Sequence, residues 1–114
     1  VLTGCDLKGG MVGWLQLVAD DLRAAGYAGA PVYVADLFSG IWLFGPFARL
    51  PGGAPWYYGG LSGFAGARYV VVPVCAVSQA VRKKITAQID ATGVAMTQVR
   101  RTPFYTLFEK PQAP

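Results

Sequence analysis

Few side chains in this sequence belong to the types that carry acid, base or nucleophilic chemistry. Histidine is absent, which removes the commonest general base and the commonest neutral metal ligand. A Ser–His pair is excluded with it. Cys5 and Cys75 lie far apart and neither belongs to a C-x-x-C pair; with the scattered carboxylates they lack the spacing of a zinc site. They read as two buried or free thiols, with a disulfide in an oxidising compartment as the alternative. No G-x-x-x-x-G-K-[ST] run offers a phosphate cradle. Asp20 and Asp21 are adjacent carboxylates, but neighbours on a helix point in different directions. They read as a solvated helix face rather than a catalytic pair.

The stretch V-A-D-L-F-S-G, residues 34–40, follows an apolar run that reads as a buried strand. It resembles the first motif of DNA cytosine-C5 methyltransferases, D-L-F-x-G-x-G-G, where the turn meets S-adenosylmethionine. Here Gly40 is followed by Ile41-Trp42-Leu43, so the later glycines are missing, and Cys75 stands in P-V-C rather than after a proline. A methyltransferase fragment is therefore the third choice. Asp36 reads better as the N-cap of a short helix, accepting the orphan backbone N–H groups of its first turn.

Trp56-Tyr57-Tyr58 stand in the middle of a Gly/Pro/aromatic segment, R-L-P-G-G-A-P-W-Y-Y-G-G-L-S-G-F-A-G, residues 49–66. A connection this long inside a small domain is usually functional or docked on something else. Its aromatics could stack on sugars, on bases or on a partner surface, or fold back over the core. Asp36, Ser39, Trp42, Trp56, Tyr57 and Tyr58 are the residues expected to meet a ligand or a partner. No catalytic or metal-binding residue and no cofactor is expected. Arg82-Lys83-Lys84 open a helix, where the macrodipole makes cations mildly unfavourable. They read as a solvated face, with a contact to phosphates or acidic lipid headgroups as the alternative. No recognition-helix or aromatic RNA-binding pattern accompanies them, which disfavours nucleic acid.

The elements that must position these residues follow from periodicity. Met11, Trp14, Leu15, Val18, Leu22 and Ala25 recur at spacings of three and four, so Gly10–Ala25 is a helix with one apolar stripe. Asp20, Asp21 and Arg23 fall toward water, and Gly26 stops the helix. Ala30–Ala35 is a strand. Leu37–Phe44 has helical spacing up to Gly45-Pro46, with a strand as the alternative. Arg68–Cys75 is a valine-rich strand suited to cover by helices on both faces, and Pro73 moves its end toward an edge or a turn. Ser78 caps a helix over Gln79–Ala91, with Val81, Ile85 and Ile89 inward and Gly93 as the stop. Val94–Val99 and Phe104–Glu109 form a hairpin through Arg100–Pro103. This order predicts a single α/β domain over residues 1–114. Its architecture would be a small two-layer or three-layer sandwich, with a mostly parallel sheet and a C-terminal β-hairpin.

The totals agree with a folded domain: 114 residues, 54% hydrophobic and 14% charged, with a net charge of +4. So low a charge content suggests a missing neighbour. A start at Val1 rather than Met suggests excision from a longer chain. Neither uncharged stretch, Leu37–Ala48 or Leu50–Ala67, reads as a membrane span; the first is short and the second is broken by proline and glycine.

Taken in order, W-L-Q-L-V-A-D-D-L-R-A-A-G-Y, A-P-V-Y-V-A-D-L-F-S-G-I-W-L-F, R-L-P-G-G-A-P-W-Y-Y, A-R-Y-V-V-V-P-V and V-R-R-T-P-F-Y-T-L-F-E-K form a pattern. It resembles the soluble C-terminal domain of bacterial polytopic membrane glycosyltransferases. These are of the protein-mannosyltransferase and aminoarabinose-transferase type, which use polyprenyl-phosphate sugars. In that family a helix precedes a strand ending in Asp, a short helix leads to a proline-containing turn (here F-A-R-L-P), and a valine-rich strand and a hairpin follow. The resemblance implies a periplasmic domain hanging from the last membrane helix of a bacterial inner-membrane enzyme. It implies the membrane portion as a partner, and a glycan or lipid-linked sugar acceptor as a further contact. The family's catalytic acid lies between membrane helices, so no catalytic residue carries over to this segment. A non-catalytic ligand-binding or protein-interaction module is the alternative.

Overall fold

The structure, a computed structural model, describes residues 10–36, 40–41, 45, 47–48, 64–74 and 79–111. Helix α1, Gly10–Ala24, is followed by strand β1, Val32–Val34. Strand β2, Tyr69–Pro73, leads to helix α2, Gln79–Ala91, and the chain then forms β3, Thr97–Arg101, and β4, Tyr105–Glu109. The expected helix over Leu37–Phe44 and the aromatic segment lie outside the described residues, apart from Gly40, Ile41 and a 3-10 turn at Phe64–Gly66. Both cysteines lie outside them too.

Helix α1 exists because its apolar residues repeat on one stripe: Trp14, Leu15, Val18, Ala19 and Leu22 are all buried. Ala25, placed on the stripe by its spacing, is exposed, because the helix has already ended. Gly26 follows at φ +96, and Tyr27 N–H donates to the Leu22 carbonyl across it. That left-handed residue satisfies carbonyls the last turn would otherwise leave open. Helix α2 buries Ile85 and Ile89 one turn apart and ends in the same way at Gly93, φ +74.

The four strands form one mixed sheet in the order β1-β2-β4-β3. Only β1 and β2 run parallel; β4 is antiparallel to both β2 and β3. The expectation of a mostly parallel sheet is therefore corrected. The final hairpin docks through its second strand, which inserts β4 between β2 and β3. The hairpin itself is present, with its boundaries moved. Arg100 belongs to β3 and not to the connection, and the turn is held by Thr102, whose hydroxyl accepts the N–H groups of Phe104 and Tyr105.

Alternate strand residues feed two separate clusters. Val32, Val34, Val71, Tyr105 and Leu107 pack with the α1 stripe, joined by Ile41 and Phe47. Tyr33, Ala35 and Val70 pack with Ile85 and Ile89 of α2, joined by Phe64 and Ala67. The period of two along each strand sends these sets to opposite sides of the pleat. Strand β2 is apolar on both sides for that reason: Val70 meets α2 and Val71 meets α1. Pro73 is tolerated as its last paired residue, opposite Tyr105, where no further ladder donor is required of it.

Candidate functional site

Because β1 and β2 are parallel, their carboxyl ends open on the same edge of the sheet, the usual place for ligands in α/β proteins. Asp36 stands there and is 1% exposed; it is the buried charged residue among those described. Local geometry puts it there. The Ala35 N–H still pairs with the Val71 carbonyl at 2.8 Å, while the Asp36 N–H turns back to the Val34 carbonyl at 3.0 Å. The chain thus leaves the sheet at Asp36, and Ile41 returns to the α1 cluster fully buried.

On the neighbouring strand, Arg82 of α2 reaches back over the end of β2. Its Nη1 donates to the carbonyls of Pro73 at 2.9 Å and Val74 at 3.3 Å. Lys83 and Lys84 are exposed. The basic triplet therefore divides: two solvated lysines, and one half-buried arginine that closes a strand end. Asp36, 1% exposed, and Arg82 thus mark the carboxyl ends of the two parallel strands. Among the described residues no three His, Cys, Asp or Glu side chains gather as metal ligands.

Of the residues expected to meet a ligand, Asp36 is placed at this edge. Ser39, Trp42, Trp56, Tyr57 and Tyr58 lie outside the described residues.

The polar cluster with the most contacts is one the sequence reading missed. Arg100 Nη2 donates to both carboxylate oxygens of Asp21, at 3.0 and 3.1 Å, and its Nε donates to Oδ2 at 3.1 Å. The Tyr105 hydroxyl donates to the same Oδ2 and accepts from Arg100 Nε at 3.3 Å. Burial pushes the Asp21 carboxyl up, but the hydrogen bonds from Arg100 and Tyr105 and the Arg100 charge outweigh it, leaving it below its ordinary value. Burial, then the Asp21 contact, pushes the Tyr105 hydroxyl well above its own. The Asp21 contact likewise raises Arg100. Asp21 is thus no solvated partner of Asp20, which pairs loosely with Arg23 at 3.7 Å on the exposed face. A signal was present: Asp21 follows Trp14 and Val18 by seven and three residues, so it continues the buried stripe. The cluster ties α1 to both strands of the hairpin.

A second tie closes the opposite end of the sheet. Arg68 grips Glu109 with two donors at 2.8 and 2.9 Å. Lys110 Nζ donates to the Phe64 carbonyl at 2.6 Å and lies 4.3 Å from the Phe64 ring centroid. Burial lowers the Lys110 ammonium below its ordinary value. These contacts fix the 3-10 turn through which the chain enters β2.

Comparison of the chain with protein families, with curated proteins and with solved structures finds no match.

Proposed function

We propose that this chain is a non-catalytic accessory domain of a bacterial membrane glycosyltransferase, on the periplasmic side, where it contacts the membrane portion and helps engage a glycan or lipid-linked acceptor. The observation that supports this reading is the order of elements around Asp36. A helix precedes a strand that ends in a buried aspartate, and a valine strand, a helix and a terminal hairpin follow. The sequence resemblance includes these elements and also a short helix after that aspartate, which lies outside the described residues. The two clusters favour the three-layer form of the sandwich, with α1 and α2 on opposite sides of the sheet. The working edge in this proposal is the carboxyl end of β1 and β2, with Asp36 at its base and the segment carrying Trp56, Tyr57 and Tyr58 joined to it through the chain.

The deciding observation is the coding sequence upstream of Val1. A series of hydrophobic spans of about 20 residues each supports the proposal, whereas a soluble reading frame complete in itself sinks it. No described helix is long and apolar enough to cross a membrane, so any such span must come from elsewhere in the chain. In an intact parent enzyme, replacing Trp56, Tyr57 and Tyr58 together by Ala should lower glycosyl transfer while the fold persists. Unchanged transfer would leave the aromatic segment without a part in acceptor contact.

A further inference from the structure

A helix about 10 Å across covers two strands spaced about 4.8 Å apart, and this sheet has four. The α2 cluster draws its fully buried strand residues from β1 and β2 alone. Beside α2, over β4, the sheet is only half covered: Val72 and Phe108 are half-buried. The space left there is a groove made of two adjoining cavities that share Val72 and Thr86. One, about 310 Å³, is lined by Ile89, Val94, Met96 and Phe108, with Asp90 at its rim. The other, about 580 Å³, is lined by Gln79, Ala80, Arg82 and Lys83. Both fall within the range of small-molecule sites, which are mostly apolar with a few fixed polar groups.

The groove has a polarity. Its distal end is hydrocarbon, its middle carries one hydroxyl, and its proximal end carries two cations. Arg82 is held in place there by Nη1 on two carbonyl oxygens. Its Nε and Nη2 donors have no partner among the described residues. A guanidinium immobilised by one nitrogen, with no further partner among the described residues for the rest of its fork, is prepared to take a carboxylate through two donors at little further entropic cost. Asp90, at the other end, repels an anion placed in reverse.

From this charge complementarity we infer that the groove binds a single-chain anionic amphiphile of the fatty-acid type, its carboxylate on Arg82 and Lys83 and its alkyl chain lying past Thr86 toward Phe108 and Met96. The inference stands independently of the glycosyltransferase reading, since it uses only the groove. Its chemistry is that of a free fatty acid, in which the head fixes direction and the chain supplies most of the buried area.

The test uses laurate, below its micelle-forming concentration, added to the folded domain labelled with nitrogen-15. Amide shifts should move at Thr86, Met96 and Phe108, and the Arg82 Nε–H resonance should move with them. Dodecyltrimethylammonium, with the same chain and the opposite charge, should bind at least about tenfold more weakly, as should acetate, which lacks the chain. Arg82→Gln should weaken laurate about tenfold and leave dodecanol unchanged. If that variant unfolds because Arg82 also closes β2, Thr86→Phe serves instead: it fills the middle of the groove from a half-buried position and should abolish laurate shifts at Met96 and Phe108. Equal binding of the two charged amphiphiles would overturn the proposal, because the groove would then read hydrocarbon alone. So would shifts confined to other parts of the molecule, or no shifts at all.

Discussion

Asp21, Arg100 and Tyr105 show how much one register position can do. Strand β3 contains a bulge between Gln98 and Arg100, so that Gln98 lies opposite Phe108 and Arg100 opposite Leu107. Without the extra residue, Val99 would face Leu107 and Arg100 would point to the α2 side. The bulge re-aims the arginine toward Asp21 on α1, a use to which bulges are commonly put. It also leaves Val99 39% exposed on an edge strand. Such a half-exposed ion pair is worth about 1 kcal/mol after solvent screening, and Asp21→Ala should cost roughly that in urea unfolding. The pH dependence has a definite sign. Unfolded, Asp21 titrates near 3.8, and in the folded protein it titrates lower. Its contribution is complete above 3.8 and disappears as pH falls through the folded value. Unfolding curves of wild type and Asp21→Asn should therefore differ at about pH 6 and draw together toward about pH 2; a gap that widens on acidification would contradict the assignment.

At the scale of elements, both helices stop at a glycine with positive φ, and at Gly93 an added Cβ would meet nothing within 4 Å. Any loss on Gly93→Ala must then come from backbone conformation. It should be about 1 kcal/mol, read as a lower denaturation midpoint with α2 still helical by circular dichroism. Lys110 is the counterpart at the entry to β2. Lys110→Met removes a donor to the Phe64 carbonyl and a partly buried charge whose ammonium form is already disfavoured. Global stability should change little, while amide exchange at Ala67, whose N–H bonds the Phe64 carbonyl at 3.1 Å, should speed up as the turn loosens. Equal protection at Ala67 in both proteins would show that the turn holds without the lysine.

For the whole molecule, the position of the last strand matters most. Strand β4 lies inside the sheet although it ends the described chain, and it pairs along its length with both β2 and β3. A chain ending at Arg101 would lose Tyr105 and Leu107 from the α1 cluster and leave β3 with no neighbour. It should show no cooperative thermal transition and should expose apolar surface to a hydrophobic dye. A truncated chain that melts cooperatively near the wild-type temperature would mean that β1, β2 and the helices fold without the hairpin.

Much of this architecture was legible in local sequence. Repeats of three and four residues with a following glycine determine α1 and α2, because an amphipathic stripe and a left-handed stop are properties of short segments. Valine-rich runs determine β1 and β2 for the same reason, and the closing hairpin follows from two β-prone runs around Arg100–Pro103, although the first of them ends two residues later than that reading placed it. Asp36 at the end of a strand was visible as well. What tertiary structure alone decided was pairing across the chain. It placed β4 beside β2, which turned an expected mostly parallel sheet into a mixed one. It set the one-residue bulge that brings Arg100 to Asp21 across 79 positions of sequence, and it left the groove beside α2 open. Periodicity tells each residue which side of its own element it occupies. Which element comes to rest against that side depends on strand order and register, and these are chosen by the packing of the complete sheet.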